Sequence, residues 1–399
     1  MNLLCPSMDQ LYRLALSLFR WCGFVPFGLD GSSLRVQNQT HHGGNPFTFK
    51  WIILVVCICL VDVVMAAIFH DSVFFLEYAV GWINDMFKFG SLALTVFIIE
   101  AEVVAQRKTQ LQIFEGLEQL GEHRARVGLL NGAKYKQFIR RFLWKFFGYL
   151  VFTFAIEMKL ITGIMSYNLQ WTYTWLTAIS LQTINRMRTL FYIFYIDLIR
   201  AQCEVIREEL LRLGDMMQLT KTLPQISSQS QTITRQVSKT LIFLKGCYTD
   251  LWFISFNVNS SLGWSTCFIL TCNFVQVSCD FYWVYLTVHD KASDGYTELL
   301  MCIIPATTLF ITLLYSAESC LKVSNSFGPI LHEMPKNDQE ILYKIVYRFT
   351  NHVFHQPIRF KAHSLFDVNY KLLKMFLTGV VTYMFIFMPF STDLPDSPK

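Results

Sequence analysis

Charged residues are scarce in this sequence. They make up 16% of its 399 residues, whereas soluble domains carry about 25%. Hydrophobic residues make up 53%, and the mean hydropathy is +0.36. A chain with so few charges cannot cover its apolar surface with its own polar residues, so lipid must form part of its solvent. The composition excludes an ordinary soluble domain and predicts an all-α, polytopic membrane protein.

Enzyme signatures are also missing. The sequence has no GxSxG, HExxH, phosphate-binding glycine loop or CxxC motif. Several of the 11 cysteines lie inside apolar runs, which is typical of small packing residues rather than of a disulfide framework. We therefore expect no catalytic residue, metal site or cofactor, and no nucleic-acid partner.

Long apolar runs are what the sequence does have. A membrane-spanning helix needs roughly 20 largely apolar residues, and seven segments approach this pattern. The stretch 251–288 is too long for one straight span and too short for two with a loop, so we predict one tilted helix over 255–286. The seven predicted spans are 51–69, 81–104, 143–165, 171–199, 255–286, 299–320 and 372–390.

The distribution of lysine and arginine predicts the orientation of these spans. Of the 34 basic residues, 26 lie in the segments 1–50, 105–142, 200–247 and 321–371, whereas the opposite connections and the end of the chain hold only Lys291 and Lys399. Basic residues concentrate on the cytoplasmic side of membrane proteins. We therefore predict a cytoplasmic amino terminus, cytoplasmic long loops and an extracellular carboxyl terminus.

The long loops show helical spacing of apolar residues over 111–120 and 206–217. After a capping-box-like start at Asn337, an apolar face is predicted that consists of Ile341, Ile345, Phe349 and Val353. The Ser-, Thr- and Gln-rich segment 221–236 predicts a flexible link. The resulting division is a cytoplasmic amino-terminal segment 1–50, six spans with cytoplasmic helical extensions over 51–320, a cytoplasmic helical region 321–371, the seventh helix 372–390 and an extracellular tail 391–399.

Charges inside the spans are costly and often functional. Asp85 and Lys88 are three residues apart and share a helical face on which they can pair, while Glu157, Arg186 and Arg188 lie in the third and fourth spans. Two interpretations stay open for each charge: a polar pocket or ion route, or a structural role as an interfacial snorkelling side chain or an ion pair.

Aromatic residues concentrate at the extracellular side of the predicted fourth and fifth spans. Such residues form either an interfacial belt or the lining of a pocket for an apolar or aromatic small molecule. Together with Asp85 and Lys88, the candidate pocket residues are Tyr167, Trp171, Trp175, Phe281, Tyr282 and Trp283.

The last span carries a regular stripe. Gly379, Thr382, Ile386 and Phe390 follow one another at three- and four-residue spacing and share one face. Small, hydroxylated and bulky apolar residues in this order suit a tapering pore with an apolar constriction. An ordinary helix–helix seam has the same composition, and spacing alone favours the seam.

The end of this span resembles the insect gustatory receptors, which are relatives of the insect odorant receptors. Thr382-Tyr383, five apolar residues and then Pro389-Phe390 match the family's TY-x5-QF ending except at one position. The run PIRFKAHSLFDVNYKLL over 357–373 resembles the family's approach to the last helix, and LFRWCGFVPF over 18–27 resembles its amino-terminal segment. The seven-span topology matches over nearly the whole chain.

The resemblance implies a ligand-gated, non-selective cation channel, built as a homo- or heterotetramer of this chain with itself or with other gustatory receptors. Its ligand would be a small-molecule tastant bound in the outer half of the other spans, and its cytoplasmic helices would form a shared anchor. Each subunit would give its last helix to the pore, with Gly379, Thr382, Tyr383, Ile386, Pro389 and Phe390 as pore and gate residues. The expected location is the plasma membrane of gustatory neuron dendrites and axons.

Pro389 departs from the family, which has glutamine at this position. Proline offers no amide side chain to a pore, and it lacks a backbone N–H. We therefore expect the constriction of this channel to differ from a glutamine-lined one.

Two other classes stay open. A G-protein-coupled receptor needs an extracellular amino terminus, against the charge distribution, and glycan on the Asn38 sequon would reveal one. A transporter often shows repeated halves, which this sequence does not. Because no marker of the sugar or carbon dioxide subgroups is recognised, a bitter or contact cue is the expected ligand.

Overall fold

The computed structural model describes residues 16–25, 46–68, 79–127, 132–165, 169–222, 228–289, 296–334 and 340–389. These residues are almost entirely helical. The elements in chain order are α1 Pro46–Ile68, α2 Ala79–Ala105, α3 Arg107–Val127, α4 Gly132–Met165, α5 Leu169–Thr222, α6 Ser228–His289, α7 Tyr296–Asn325, α8 Phe327–Glu333, α9 Glu340–His355, the antiparallel strands β1 Lys361–Ala362 and β2 Phe366–Asp367, and α10 Tyr370–Phe387.

Each predicted span falls on its own helix: α1, α2, α4, α5, α6, α7 and α10. The long stretch 251–288 lies within the single helix α6, as predicted. With 62 residues, α6 is roughly 90 Å long and therefore extends well beyond a bilayer core of about 30 Å. The prediction of a flexible link over 221–236 is wrong in its second half, because α6 already begins at Ser228.

Four stretches of the described helices are long and apolar enough to cross a membrane: Gln137–Gly163, Thr232–Val288, Leu300–Glu333 and Tyr370–Phe387, while Lys50–Val61 is a shorter apolar stretch. Helices α2 and α5 are not among these stretches, and both carry polar residues on their interior faces. Glu102 of α2 and Arg188 of α5, for example, are both buried. Charges inside a membrane protein face the bundle interior in this way.

Helix α5 forms the centre of the bundle. Every residue from 187 to 199 is buried, whichever face of the helix it lies on. Apart from Arg188, Thr189 and Asp197, this segment is apolar, and a helix that is apolar all round is a core helix. Helices α2, α4, α6 and α7 pack around α5.

The amino-terminal residues 16–25 are docked into this core. Phe19 is fully buried, and its ring centroid lies 5.3 Å from that of Phe146 and 5.0 Å from that of Phe191. Gly23 has a φ of +78°, and a Cβ at this position would lie 2.2 Å from Cδ1 of Trp51. Only glycine fits this turn. The turn holds the amino-terminal segment, which is part of the resemblance over 18–27, against α1, α4 and α5.

Helix α9 is amphipathic with a phase that differs slightly from the predicted one. Phe349 and Val353 are buried as expected, but Ile341 is 74% exposed and Leu342 occupies the buried position instead. The prediction for Ile341 is therefore wrong. Successive side chains of an α-helix point about 100° apart. Leu342 therefore faces the core, while Ile341 points away from it.

Candidate functional site

Polar side chains of α2 and α6 meet inside the part of the bundle farthest from the basic loops. Nζ of Lys88 lies 2.5 Å from Oδ1 of Asp280, and Nε1 of Trp283 donates to Oδ1 of Asp85 at 3.1 Å. Asp85, Asp280 and Trp283 are all buried. We call Asn84, Asp85, Lys88, Cys279, Asp280 and Trp283 the polar cluster. Paired charges in such a site avoid the large cost of a single buried ion.

Two atoms of the polar cluster lack a hydrogen-bond partner among the described residues. They are Nδ2 of Asn84, a donor, and Oδ2 of Asp280, an acceptor, and both are buried. Buried polar atoms in native proteins are normally paired with protein or water. The polar cluster therefore offers one donor and one acceptor to a guest molecule.

The last helix, α10, reaches the polar cluster directly. The hydroxyl of Tyr383 donates a hydrogen bond to Oδ1 of Asn84, and it lies 3.9 Å from Sγ of Cys279. The ring of Phe387 lies 4.3 Å from that of Tyr383 and 6.5 Å from that of Tyr282. The polar cluster therefore contacts the last helix directly, and a rearrangement of its side chains would act on α10.

The predicted pocket residues are partly brought together. Asp85, Lys88, Tyr282 and Trp283 lie in or beside the polar cluster, whereas Phe281 is 38% exposed on the outer surface of α6. The expected pairing partner of Lys88 was Asp85, and the structure gives it Asp280. Tyr167 and the side chains of Trp171 and Trp175 lie outside the described residues.

One side of α10 forms a seam with α6 and α7. A Cβ on Gly379 would lie 2.8 Å from Cε2 of Phe274, so glycine lets the two helices approach closely. Val380 is buried against Val277, Ile303 and Ala306. Gly379 and Tyr383, both predicted as pore residues, therefore lie on the seam.

The other side of α10 is exposed in the described chain. Thr382 and Pro389 are exposed, and Ile386 is 54% exposed. Phe390 lies outside the described residues. The predicted stripe thus divides: its first residue packs on α6, and its middle residues face outward.

The segment 357–373 forms the approach to α10. Its hairpin docks on α6, where Asn259 donates to the carbonyl of Arg359 at 2.7 Å and accepts from the backbone N–H of Lys361 at 3.0 Å. The His363 ring stacks on Trp264 with 3.7 Å between ring centroids. Asn369 then caps α10 by accepting from the backbone N–H of Lys371. The sequence run thus fixes where the last helix begins.

The other charges found in the spans form internal pairs. Arg188 donates to Oε2 of Glu102 at 3.1 Å, and Glu102 also accepts from the backbone N–H groups of Trp264 and Ser265. Arg186 pairs with Glu157. These pairs join α2, α4, α5 and α6, which favours the structural interpretation of the three charges predicted there.

Sequence reasoning missed Asn84, Cys279, Asp280 and Glu102 as members of these networks. Asp280 had a usable signal, because it is an acidic residue inside a long apolar stretch. Asn84 had none beyond its polarity. Its role depends on Tyr383, which is 299 residues away in the chain.

The chain is similar in sequence to known proteins. A family model described as 7tm chemosensory receptor matches residues 12–392. Gustatory receptor 23a of Drosophila melanogaster is 24% identical over 204 residues, which are 49% of this chain and 53% of that protein. The chain thus matches about half the length of this relative.

Two solved structures share the fold. The insect olfactory receptor OR5 of Machilis hrabei in complex with eugenol matches with a TM-score of 0.64 and 10% identity, covering 95% of this chain and 97% of that one. The structure of the same receptor described without eugenol matches with a TM-score of 0.52, 11% identity and the same coverage. The similarity extends over nearly the whole of both chains.

Proposed function

Because the chain belongs to the 7tm chemosensory receptor family and has its all-helical, seven-span membrane fold, we propose that it is a gustatory receptor. It acts as a ligand-gated, non-selective cation channel that small-molecule tastants open. The similarity to Gustatory receptor 23a supports taste over smell. The expected tastants are bitter compounds or contact cues.

The proposed ligand site is the polar cluster with its aromatic neighbours Tyr282 and Trp283. The buried donor of Asn84 and acceptor of Asp280, which lack partners among the described residues, support this assignment, since ligand sites combine apolar walls with a few converging polar groups. The olfactory receptor of Machilis hrabei, which has the same fold, is solved in complex with eugenol, a small aromatic molecule.

The proposed pore lining is the outward side of α10, with Thr382, Ile386 and Pro389, and with Phe390 beyond the described residues. This side is exposed within the described chain, and it is apolar toward its end. An apolar constriction closes a pore by expelling water. Gly379 and Tyr383 serve the seam behind the pore.

The proposed assembly is a tetramer, as a homomer or with other gustatory receptors. Helix α9 supports it with a second, outward apolar side formed by Tyr343, Tyr347 and Phe354, all exposed in the single chain. Contiguous exposed apolar surface marks interaction sites. In the proposed orientation, α9 and the amino terminus lie in the cytoplasm, and the receptor resides in the plasma membrane of gustatory neurons, in dendrites and axons.

The observation that carries the proposal is the hydrogen bond from Tyr383 to Asn84. It joins the helix proposed to line the pore to the site proposed to hold the ligand. A ligand that binds one arrangement of Asn84 more tightly also favours the position of α10 that goes with that arrangement. Binding would open the channel through this shift in population.

The test is patch recording from cells that express this chain, alone and with a partner gustatory receptor. We expect bitter compounds to evoke a cation current that persists in excised patches without nucleotide. A response in intact cells that disappears in excised patches and under GDP-β-S would point to G-protein coupling and overturn the channel. Stoichiometric uptake of the compound without current would indicate a transporter.

A further inference from the structure

A cleft opens between α4, α5 and α7 at the end of the bundle that bears the basic loops. Its volume is about 690 Å³. Arg140, Arg141 and Lys145 line it from α4, and Arg200 lines it from α5. The cleft lies on the opposite side of the predicted spans from the polar cluster, so it is separate from the proposed tastant site.

The cleft carries an excess of positive charge. Four cations face two carboxylates, those of Asp197 and Glu204. Lys145 is bound to Asp197 and to Ser316, each at 2.7 Å, which uses two of its three N–H donors. Its Nζ also lies 5.8 Å from the ring centroid of Tyr315.

Most of the arginine donors in this cleft have no partner among the residues that the structure describes. Arg200 uses only Nε, which donates to Glu204 at 2.9 Å. Arg141 comes no closer than 3.8 Å to Glu204, and Arg140 has no ion pair within the described part of the chain. Guanidinium groups bind phosphate with two parallel N–H bonds. Three such groups converge here around a single cavity.

The cleft lies at the level of the lipid head groups. The predicted spans of α4, α5 and α7 end at residues 143, 199 and 320, and the cleft residues lie within a turn or two of these ends. Trp144 beside the cleft is 75% exposed, and exposed tryptophan is typical of the membrane–water interface. In the proposed orientation this interface is the cytoplasmic leaflet, where anionic lipids are concentrated.

We propose that this cleft binds the phosphorylated head group of an anionic membrane lipid. Arg140, Arg141 and the guanidinium group of Arg200 hold the phosphate oxygens, with the remaining donor of Lys145 at the base of the cleft. Trp144 contacts the upper part of the acyl chains. Because the cleft joins three spans, its occupancy stabilises their mutual packing.

The experiment uses the purified full-length chain and native mass spectrometry, with phosphatidylinositol 4,5-bisphosphate as the probe and phosphatidylcholine as the neutral lipid. We expect the double variant Arg140→Gln/Arg141→Gln to bind the probe roughly thirtyfold more weakly, since each basic residue near the membrane surface contributes about a factor of five. Arg140→Lys/Arg141→Lys keeps the charge but loses the planar pair of donors, so we expect its affinity for the probe to lie between those of the glutamine variant and the unchanged chain. The matched control is Arg235→Gln/Lys239→Gln, which removes two exposed charges from α6 outside the cleft.

Soluble inositol trisphosphate distinguishes the source of the phosphate. We expect it to displace the lipid only weakly, because it lacks the acyl chains that Trp144 contacts. The variant Trp144→Ala should lower the affinity for the lipid but not the affinity for inositol trisphosphate. Equal affinity for the lipid and the soluble head group would overturn the lipid assignment. If the cleft variant and the α6 control lose the same affinity for phosphatidylinositol 4,5-bisphosphate, the cleft is not the binding site.

Discussion

The hydroxyl of Tyr383 is the atom through which α10 contacts the polar cluster. Replacing Tyr383 with phenylalanine keeps the ring contact with Phe387 but leaves Oδ1 of Asn84 without its donor. Because a buried acceptor then stays unpaired, we expect the free energy of unfolding to fall by about 1–3 kcal/mol. We also expect a smaller maximal ligand-evoked current at unchanged surface expression, measured by patch recording.

Tyr370→Phe is the matched control for this change. Tyr370 begins the same helix, is exposed, and makes no side-chain hydrogen bond within the described chain. We expect its current and stability to equal those of the unchanged protein. A Tyr383→Phe channel that behaves like this control would remove the proposed link between ligand site and pore.

Pro389 is the residue at which this chain departs from its family's ending. It lies just beyond α10, where it is exposed. Glutamine at this position would add amide groups to the proposed pore, so we expect Pro389→Gln to change conductance or ion selectivity in single-channel recordings. Pro329→Gln on α8, where the proline is also exposed, serves as control. An unchanged current–voltage relation for Pro389→Gln argues against a pore position.

The seam between α10 and α6 requires the two helices to approach each other closely. In Gly379→Ala the new methyl group would meet the ring of Phe274 at 2.8 Å, and that ring is itself packed against Phe376. Since neither neighbour can move freely, we expect a loss of about 1–3 kcal/mol in the free energy of unfolding. Thermal unfolding in detergent measures it.

Gly90→Ala on α2 isolates the contribution of helix propensity. No heavy atom lies within 4 Å of a Cβ at Gly90, and alanine favours a helix over glycine by about 1 kcal/mol. We expect this variant to be as stable as the unchanged protein or slightly more so. If Gly379→Ala shows the same gain, α10 is not packed tightly on α6.

Helix α9 is held on α6 by a contact that depends on pH. His352 Nε2 lies 3.0 Å from the hydroxyl of Thr249, and its ring lies edge-on to Tyr248. Burial, together with the nearby charge of Lys245, lowers the pKa of His352 below its ordinary value. The folded chain therefore binds fewer protons here than the unfolded chain, and stability falls as the pH drops below about 6.5.

We expect His352→Gln to reduce this loss of stability between pH 7.5 and pH 5.5, as measured by thermal unfolding of the purified chain. His355→Gln is the control, because His355 is exposed at the end of the same helix and should leave the pH dependence unchanged. If the pH dependence of the His352 variant matches that of the unchanged protein, this contact is not the source of it.

At the scale of the whole molecule, several apolar sides are exposed in the described chain, and two of them bear on assembly. They are the outward sides of α9 and α10, and both belong to the proposed tetramer. We expect Tyr343→Ser/Tyr347→Ser to weaken assembly by roughly thirtyfold or more, since central aromatic residues of an interface contribute about 2 kcal/mol or more. Mass photometry measures the tetramer fraction. Ile341→Ser is the control, because Ile341 is exposed on a different side of α9, and an equal loss in that variant would rule out the aromatic side as the contact.

Much of the architecture was predictable from the sequence. The composition required a membrane protein, the apolar runs located seven helices, and the ending of the last helix indicated the family. These features are local, because a span needs only enough consecutive apolar residues. The failures were also local: Ile341 was assigned to the wrong side of α9 and residues 228–236 to a link, since several neighbouring residues compete for one buried face.

The sequence by itself thus determined which segments are the long apolar helices and which of their ends are basic. Only the tertiary structure decided what each helix contacts. Periodicity places Lys88, Gly379 and Tyr383 on a face of their own helix, but it carries no information about what lies opposite. Their partners Asp280, Phe274 and Asn84 are about 100 to 300 residues away in the chain. The division of α10 into a seam and an open side is therefore a property of the packed bundle.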